Sequence, residues 1–260
     1  MAVSESGVFI LLPILNERDN IGPLLDQIEK ALAGRPYTIG VLDDGSTDGT
    51  VSYLEERLRR PGCRVHLTCR KKRLRSSQRG GALLTLLEWG LENTRHEIFI
   101  EMDGDLSHRP EELSDGIRRI AAGAADVAIA SKYVPGGRVV NRPLGRRLVS
   151  RVCSSAVSAL ISWRIRDYSN GYRFYNRAAA ELVTRHKIRY GSPIYLSEVL
   201  ALWLRNGLRV TEFPTTYIGR QEGLSKLRIA DLVKAVIAIF EISSRYHIFG
   251  FPKRRPKAKD

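Results

Sequence analysis

Val8-Phe9-Ile10-Leu11-Leu12-Pro13-Ile14-Leu15 is an unbroken apolar run closed by Asn16-Glu17, and Ile21, Leu24, Leu25, Ile28 and Leu32 follow it at helical spacing. A run of that length ahead of a 3.6-residue period reads as a buried strand feeding an amphipathic helix. The unit recurs three times: strand 37–42 with helix 50–59, strand 64–68 with helix 81–91, and strand 97–102 with helix 110–122. Four successive β-α units predict an α/β fold with a mostly parallel central sheet covered by helices on both faces. A fifth strand is expected at 126–130. Beyond it the alternation weakens into a Gly/Pro-rich loop (134–143), a helix over 144–163, a polar loop at 167–171, a helix at 195–205 and a strand near 208–213.

Composition narrows the class. Of 260 residues, 43% are hydrophobic and 27% charged, which excludes disordered, collagenous and disulfide-framework chains. Forty-two Lys and Arg against 28 Asp and Glu leave a formal charge of +14, which favours anionic partners: phosphate-bearing ligands, nucleic acid or an anionic membrane. Cys63, Cys69 and Cys153 show no metal or disulfide spacing, so a reduced, cytoplasmic location is expected. Arg228, Asp231, Lys234 and Glu241 interrupt the apolar stretch 227–242, so a helix at about 226–243 is expected to lie on a membrane surface rather than cross it. The start of the chain lacks the basic flank of a secretory leader. Residues 1–251 are expected to form one domain, with 252–260 a disordered basic tail.

Ligands of open parallel sheets bind beyond the carboxyl ends of the strands. There the sequence gathers Asn16 and Glu17, then Asp43-Asp44-Gly45-Ser46-Thr47-Asp48-Gly49-Thr50, then Asp103-Gly104-Asp105. A turn with a helix cap at Ser46, Thr47 or Asp48 accounts for part of the second cluster. It leaves Asp43 and Asp44, adjacent carboxylates that repel each other unless a cation or a donor-rich ligand offsets them. Asp103 and Asp105 flank a glycine that lets the backbone turn both toward one point, and an all-oxygen set suits Mg²⁺ or Mn²⁺. A solvated loop ahead of Pro110 is the plainer reading of an isolated Asp-x-Asp. Arg220-Gln221-Glu222-Gly223-Leu224-Ser225-Lys226 combines two cations, a glycine and a hydroxyl ahead of a helix, which suits a lid closing over phosphate.

These segments resemble, in this order, the inverting family-2 glycosyltransferases of the GT-A (Rossmann-like) fold, a three-layer sandwich. The likeness is strongest to dolichol- and polyprenol-phosphate mannose or glucose synthases. It is carried by residues 12–17, 43–50 and 102–108 with Pro110, Tyr133 with Gly136-Gly137, Asp167-Tyr168-Ser169-Asn170-Gly171-Tyr172-Arg173, and 220–226. The resemblance implies that Pro13, Asn16, Glu17, Asp43 and Asp44 hold the base and ribose of a nucleotide sugar, with GDP-mannose favoured. It implies that Asp103 and Asp105 hold the metal, and that Arg220, Ser225 and Lys226 clamp the diphosphate. Lys132, Arg146, Ser169 and Arg173 fall at the acceptor lipid phosphate and the active centre, and Asp167 and Glu198 at catalytic positions. The chain departs from the family with Gly104 for alanine, with Ala130-Ser131-Lys132-Tyr133 for Gly-Thr-Arg-Tyr, and with Gln78-Arg79-Gly80-Gly81-Ala82 for Gly-Leu-Gly-x-Ala.

The expected activity is transfer of a hexose from a nucleotide sugar to a polyprenyl or dolichyl phosphate, metal-dependent and with inversion, at the cytoplasmic face of a membrane. A phosphate acceptor is already anionic and needs no general base. The alternative is a hydroxyl acceptor, which requires a carboxylate base at Glu198 or Asp167. A nucleic-acid module is the remaining reading. It predicts aromatic platforms among the basic residues, and 70–79 contain none.

Overall fold

The computed structural model describes residues 6–70, 79–141, 144–219 and 229–246, with some side chains inside the helices of 144–161 and 229–245 left out. The first half alternates strand and helix: β1 (Val8–Ile14), α1 (Arg18–Ala31), β2 (Tyr37–Asp43), α2 (Thr50–Leu58), β3 (Val65–Cys69), α3 (Arg79–Asn93) and β4 (Ile98–Glu101). A 3-10 turn at Pro110–Glu112 leads into α4 (Leu113–Ala121), then β5 (Val127–Ser131), β6 (Arg138–Val140) and α5 (Leu144–Ile161). There follow β7 (Arg173–Asn176), α6 (Arg177–Thr184), α7 (Tyr195–Arg205), β8 (Val210–Pro214), β9 (Thr216–Ile218) and α8 (Ile229–Arg245).

Seven strands form one sheet in the order β3-β2-β1-β4-β7-β5-β8. All pairings are parallel except those of β7, which runs antiparallel to both β4 and β5. β6 and β9 form a separate parallel pair. The mostly parallel α/β sheet is as expected. The expected helix over 110–122 is split between the 3-10 turn and α4, while α3 begins two residues before its expected start. Neither β7 nor the β6–β9 pair was expected.

Burial on both faces explains why β1 is apolar without alternation. Phe9 and Leu11 join the core under α3, α6 and α7, while Val8, Ile10, Leu12 and Ile14 join a second core with residues of α1 and α4. The strand is thus the seam between two apolar layers, and its carboxyl end is fixed from above and below. Among the described residues no helix is long and apolar enough to cross a membrane. α8 instead leaves Ile237 and Phe240 half exposed, and Trp163, just after α5, is 80% exposed.

Candidate active site

The loops that leave β1 and β2 are stitched to each other. Asn16 takes a left-handed conformation (φ 55°), which turns its backbone N–H onto Ser46 Oγ at 2.7 Å, while Thr47 N–H donates to Asn16 Oδ1 at 2.8 Å. Glu17 N–H donates to Thr50 Oγ1 and Arg18 N–H to Asp48 Oδ2, each at 3.0 Å. Asp48 also accepts Thr50 N–H, so one carboxylate caps the first turns of α1 and α2 together. Desolvation pushes the Asp48 carboxyl up, but the hydrogen bonds from Thr50 and Arg18 outweigh it and hold the group below the usual carboxylate range. Pro13 is half-buried at the end of β1, and Glu17 is buried and accepts Asn20 Nδ2 at 2.7 Å.

The adjacent carboxylates of Asp43 and Asp44 find partners within the protein. Asp43 is 1% exposed, accepts the N–H groups of Gly45 and Ser46 at 2.9 Å, and also accepts the Ser46 hydroxyl. Its carboxylate shapes the loop. Asp44 Oδ1 lies 3.2 Å from Arg70 Nη1, a cation from just beyond β3 whose other terminal nitrogen reaches Gly81 O and Thr85. The expected external cation or ligand is therefore not required to offset this pair.

The 103–108 loop leaves β4 at the same edge, carrying Asp103 and Asp105, both partly exposed. Its conformational cost falls on Leu106, the left-handed residue (φ 60°), not on Gly104. Gly104 is needed for room: a Cβ there would sit 2.7 Å from Ile14 Cγ2, so an alanine would press on the branched Ile14 side chain at the end of β1. Sequence alone expects this glycine to serve the turn; in the structure it serves close packing instead. His108, 2% exposed and stacked 4.9 Å from Tyr172, fixes the loop from beneath. Its Nδ1 accepts Asp103 N–H at 3.1 Å, which assigns the proton to Nε2, and Nε2 donates to Asn170 Oδ1 at 2.9 Å. Burial lowers the imidazole pKa and keeps the ring neutral, as this bonding requires. Asp103 Oδ1 meets Arg79 Nη1 at 2.6 Å, and Asp105 Oδ1 accepts Ser107 N–H at 3.1 Å.

Two expected acceptor-binding residues, Lys132 and Arg173, and two expected catalytic carboxylates, Asp167 and Glu198, have internal partners. Lys132, 6% exposed, donates from Nζ to both oxygens of Asp167 and to Ser169 Oγ at 2.9–3.2 Å. Asp167, fully buried, also accepts the N–H groups of Lys132, Ser169 and Asn170 and thereby organises the 167–171 loop. Arg173 is fully buried and donates to the carbonyls of Asn170, Tyr168 and Leu196. Glu198 is fully buried on α7, accepting N–H from Arg189 and Tyr190, Arg245 Nη1 at 3.0 Å and the Tyr246 hydroxyl. As placed, these groups brace the fold: Arg173 and Lys132 do not present free cations to an acceptor, and Glu198 is no free base. Ser169 remains exposed beside the Lys132–Asp167 pair. Arg220, Ser225, Lys226 and the 252–260 tail lie outside the described residues, as does the side chain of Arg146.

His108, Asn170 and Arg79 were given no role from sequence. The first two sit inside quoted motifs, and the third marks the departure at 78–82.

Among the described residues no group of three or more His, Cys, Asp or Glu is placed to hold a metal. His108 is excluded as a ligand because both ring nitrogens are engaged. Two partly exposed carboxylates fit a hard cation that draws its remaining oxygen ligands from water and a diphosphate, the habit of Mg²⁺ and Mn²⁺ rather than of zinc.

The model of the family described as Glycosyl transferase family 2 matches residues 9–183, from β1 through α6. The chain belongs to that family. This family-2 glycosyltransferase is 33% identical over 234 residues to the polyprenol monophosphomannose synthase of Mycolicibacterium smegmatis, covering 89% of the chain and 85% of the relative. It is 30% identical over 222 residues to the dolichol-phosphate mannosyltransferase of Pyrococcus furiosus, covering 85% of the chain and 59% of that longer protein. Among solved structures it superimposes on glucosyl-3-phosphoglycerate synthase from Mycobacterium tuberculosis in complex with Mn²⁺, UDP and phosphoglyceric acid. The TM-score is 0.66 with 17% identity, over 92% of this glycosyltransferase and 78% of the other chain. The shared fold is the GT-A arrangement.

Proposed function

We propose that this family-2 glycosyltransferase moves a hexose, with mannose favoured, from a nucleoside diphosphate sugar to a polyprenyl or dolichyl phosphate, with inversion and in dependence on Mg²⁺ or Mn²⁺. The observation that carries the reading is the 103–108 loop: two carboxylates at the sheet edge, locked by His108 and Asn170 beside the stitched loops after β1 and β2. The curated relatives named as polyprenol- and dolichol-phosphate mannosyltransferases support the sugar and the acceptor. GDP-mannose is the donor proposed.

Pro13, Asn16, Glu17 and Asp44 line the cleft for base and ribose, with Asp43 holding its wall. Asp103 and Asp105 would hold the cation, which supplies positive charge to the leaving diphosphate. The acceptor phosphate oxygen attacks the anomeric carbon as the bond from that carbon to the diphosphate breaks, and the electron pair leaves with the nucleoside diphosphate. No proton need be removed, because a phosphate monoester is largely dianionic at neutral pH. The bonding of Asp167 and Glu198 supports this acceptor over an alcohol, since both candidate bases are buried and fully engaged. Exposed Trp163, Ile237 and Phe240, on a chain of charge +14, support a resting place on an anionic membrane surface. We place the protein at the cytoplasmic face.

The test is transfer from GDP-mannose to polyprenyl phosphate, set against UDP-glucose as donor and dephosphorylated polyprenol as acceptor. Mannosyl transfer to the phosphate alone, lowered at least ~100-fold in D105N, is expected. Transfer only to the alcohol overturns the reading.

A further inference from the structure

Arg79 is the first residue of α3, with its guanidinium against Asp103: Nη1 lies 2.6 Å from Oδ1, and Nη2 donates to Gly171 O at 3.3 Å. Three features make this placement unusual. A cation at a helix amino terminus opposes the helix dipole, so this end of α3 concentrates positive charge and calls for an anion. Among the described residues the buried Nε has no hydrogen-bond partner, so the guanidinium spends part of its donor capacity to stay where it is. Gly171 is what admits it: a Cβ there would sit 2.0 Å from Nη2 and 2.5 Å from Cζ. The side chains of Arg79 and Asp103 are 24% and 22% exposed, so an arriving ligand can reach both partners.

We propose that Arg79 is the resident counter-cation of Asp103 and yields that carboxylate to a divalent metal only when a nucleoside diphosphate arrives to accept the guanidinium, so that metal and donor load together. The inference rests on the glycosyltransferase reading above. Two cations close to one carboxylate repel each other, and a metal binding alone must displace Arg79 and leave it unpaired over a positively charged helix end. A diphosphate removes that penalty by offering oxygens to the fork of the guanidinium and to the metal at once. Arg79 thereby couples the two ligands while acting as a binding residue for the diphosphate.

The test measures Mn²⁺ binding to the full chain by electron paramagnetic resonance and calorimetry, with Mn²⁺ alone and then with GDP or UDP. In the wild type, Mn²⁺ is expected to bind at least about tenfold more tightly with nucleoside diphosphate present. In R79Q, Mn²⁺ alone should bind about tenfold more tightly than in the wild type, nucleoside diphosphate about tenfold less tightly, and the coupling should largely vanish. R79K keeps the charge without the fork and should fall between the two, and it carries the test if R79Q does not fold by circular dichroism. Unchanged Mn²⁺ affinity and coupling in the folded variant, with D105N still abolishing Mn²⁺ binding, overturns the role of Arg79 and leaves the metal reading standing. Absence of Mn²⁺ binding to the wild type under every condition overturns both.

Discussion

His108 and Asn170, 62 positions apart in the chain, meet through a 2.9 Å contact between ring Nε2 and side-chain Oδ1. Through it the loop after β4 and the loop before β7 share one hydrogen-bonded path, from Asp103 N–H through the imidazole to Asn170 and on to Ala130 O. H108F keeps a ring against Tyr172 but strands both partners, so it is expected to lower stability by about 2–3 kcal/mol, measured by denaturant melts. N170A should cost a similar amount. Because the two residues act in one path, the double variant should lose clearly less than the sum of the two singles.

Three histidines share one pH signature. Burial lowers the pKa of His66, His96 and His108, aided at His96 by the nearby Arg177 and opposed at His108 by Asp103. Each is neutral when folded and takes up a proton on unfolding at any pH between its lowered value and about 6.5. Within that window the unfolded state binds more protons, so their contribution is complete above about pH 6.5 and is lost as pH falls, by up to about 1.4 kcal/mol per pH unit per histidine. Melting curves from pH 7.5 down to 5 should show this slope, and H108F should reduce it by about one proton. A slope of the opposite sign would contradict the assigned ring states.

Glu198 gives a sharp contrast between bracing and catalysis. E198Q replaces an acceptor oxygen with an amide that faces N–H donors, and it breaks the pair with Arg245, so stability should fall by about 2–4 kcal/mol. The pH profile of transfer below the melting temperature should match that of the wild type. Loss of one limb of that profile with stability intact would restore Glu198 as a base.

N16A probes the stitch between the first two loops. The substitution forfeits the bond to Thr47 N–H and places a side chain that disfavours φ 55° in a left-handed turn, so a loss of about 1–2 kcal/mol is expected. Nucleoside diphosphate affinity should drop alongside it, by about tenfold in calorimetry, if this loop lines the donor cleft as proposed. Loss of stability without loss of affinity would remove Asn16 from the donor site.

What sequence reveals here follows burial geometry. β1, β4 and β5 announce themselves because strands covered on both faces are apolar at most positions, whereas β3, a half-buried edge strand with His66 and Thr68, is legible only from its place in the β-α alternation. β7 gives no such signal: it is four residues long, opens with the buried Arg173, and takes its place between β4 and β5 from more than 40 residues downstream of β5. β6 and β9, three residues each, are too short to show a period. At the site, the Asp-x-Asp pair and Asn16 are legible because their chemistry is local to a strand end. Lys132 and Arg173 look like acceptor ligands, and Asp167 and Glu198 like catalytic carboxylates, until their partners are known, and those partners include residues 35 to 48 positions away. Arg79 escapes notice for the converse reason, since only the fold brings Asp103 and Gly171 to it.

The antiparallel insertion of β7 also dictates an order of assembly on the ribosome. Until residues 173–176 have emerged, the outer edge of β4 has no neighbour, β5 cannot join the sheet, and Asn170 is not there to fasten His108. A nascent chain of about 150 residues therefore exposes an open, apolar strand rim of the kind that pairs with other chains. The loop that carries Asp103 and Asp105 gains its fastening only when one short strand runs backward into the gap.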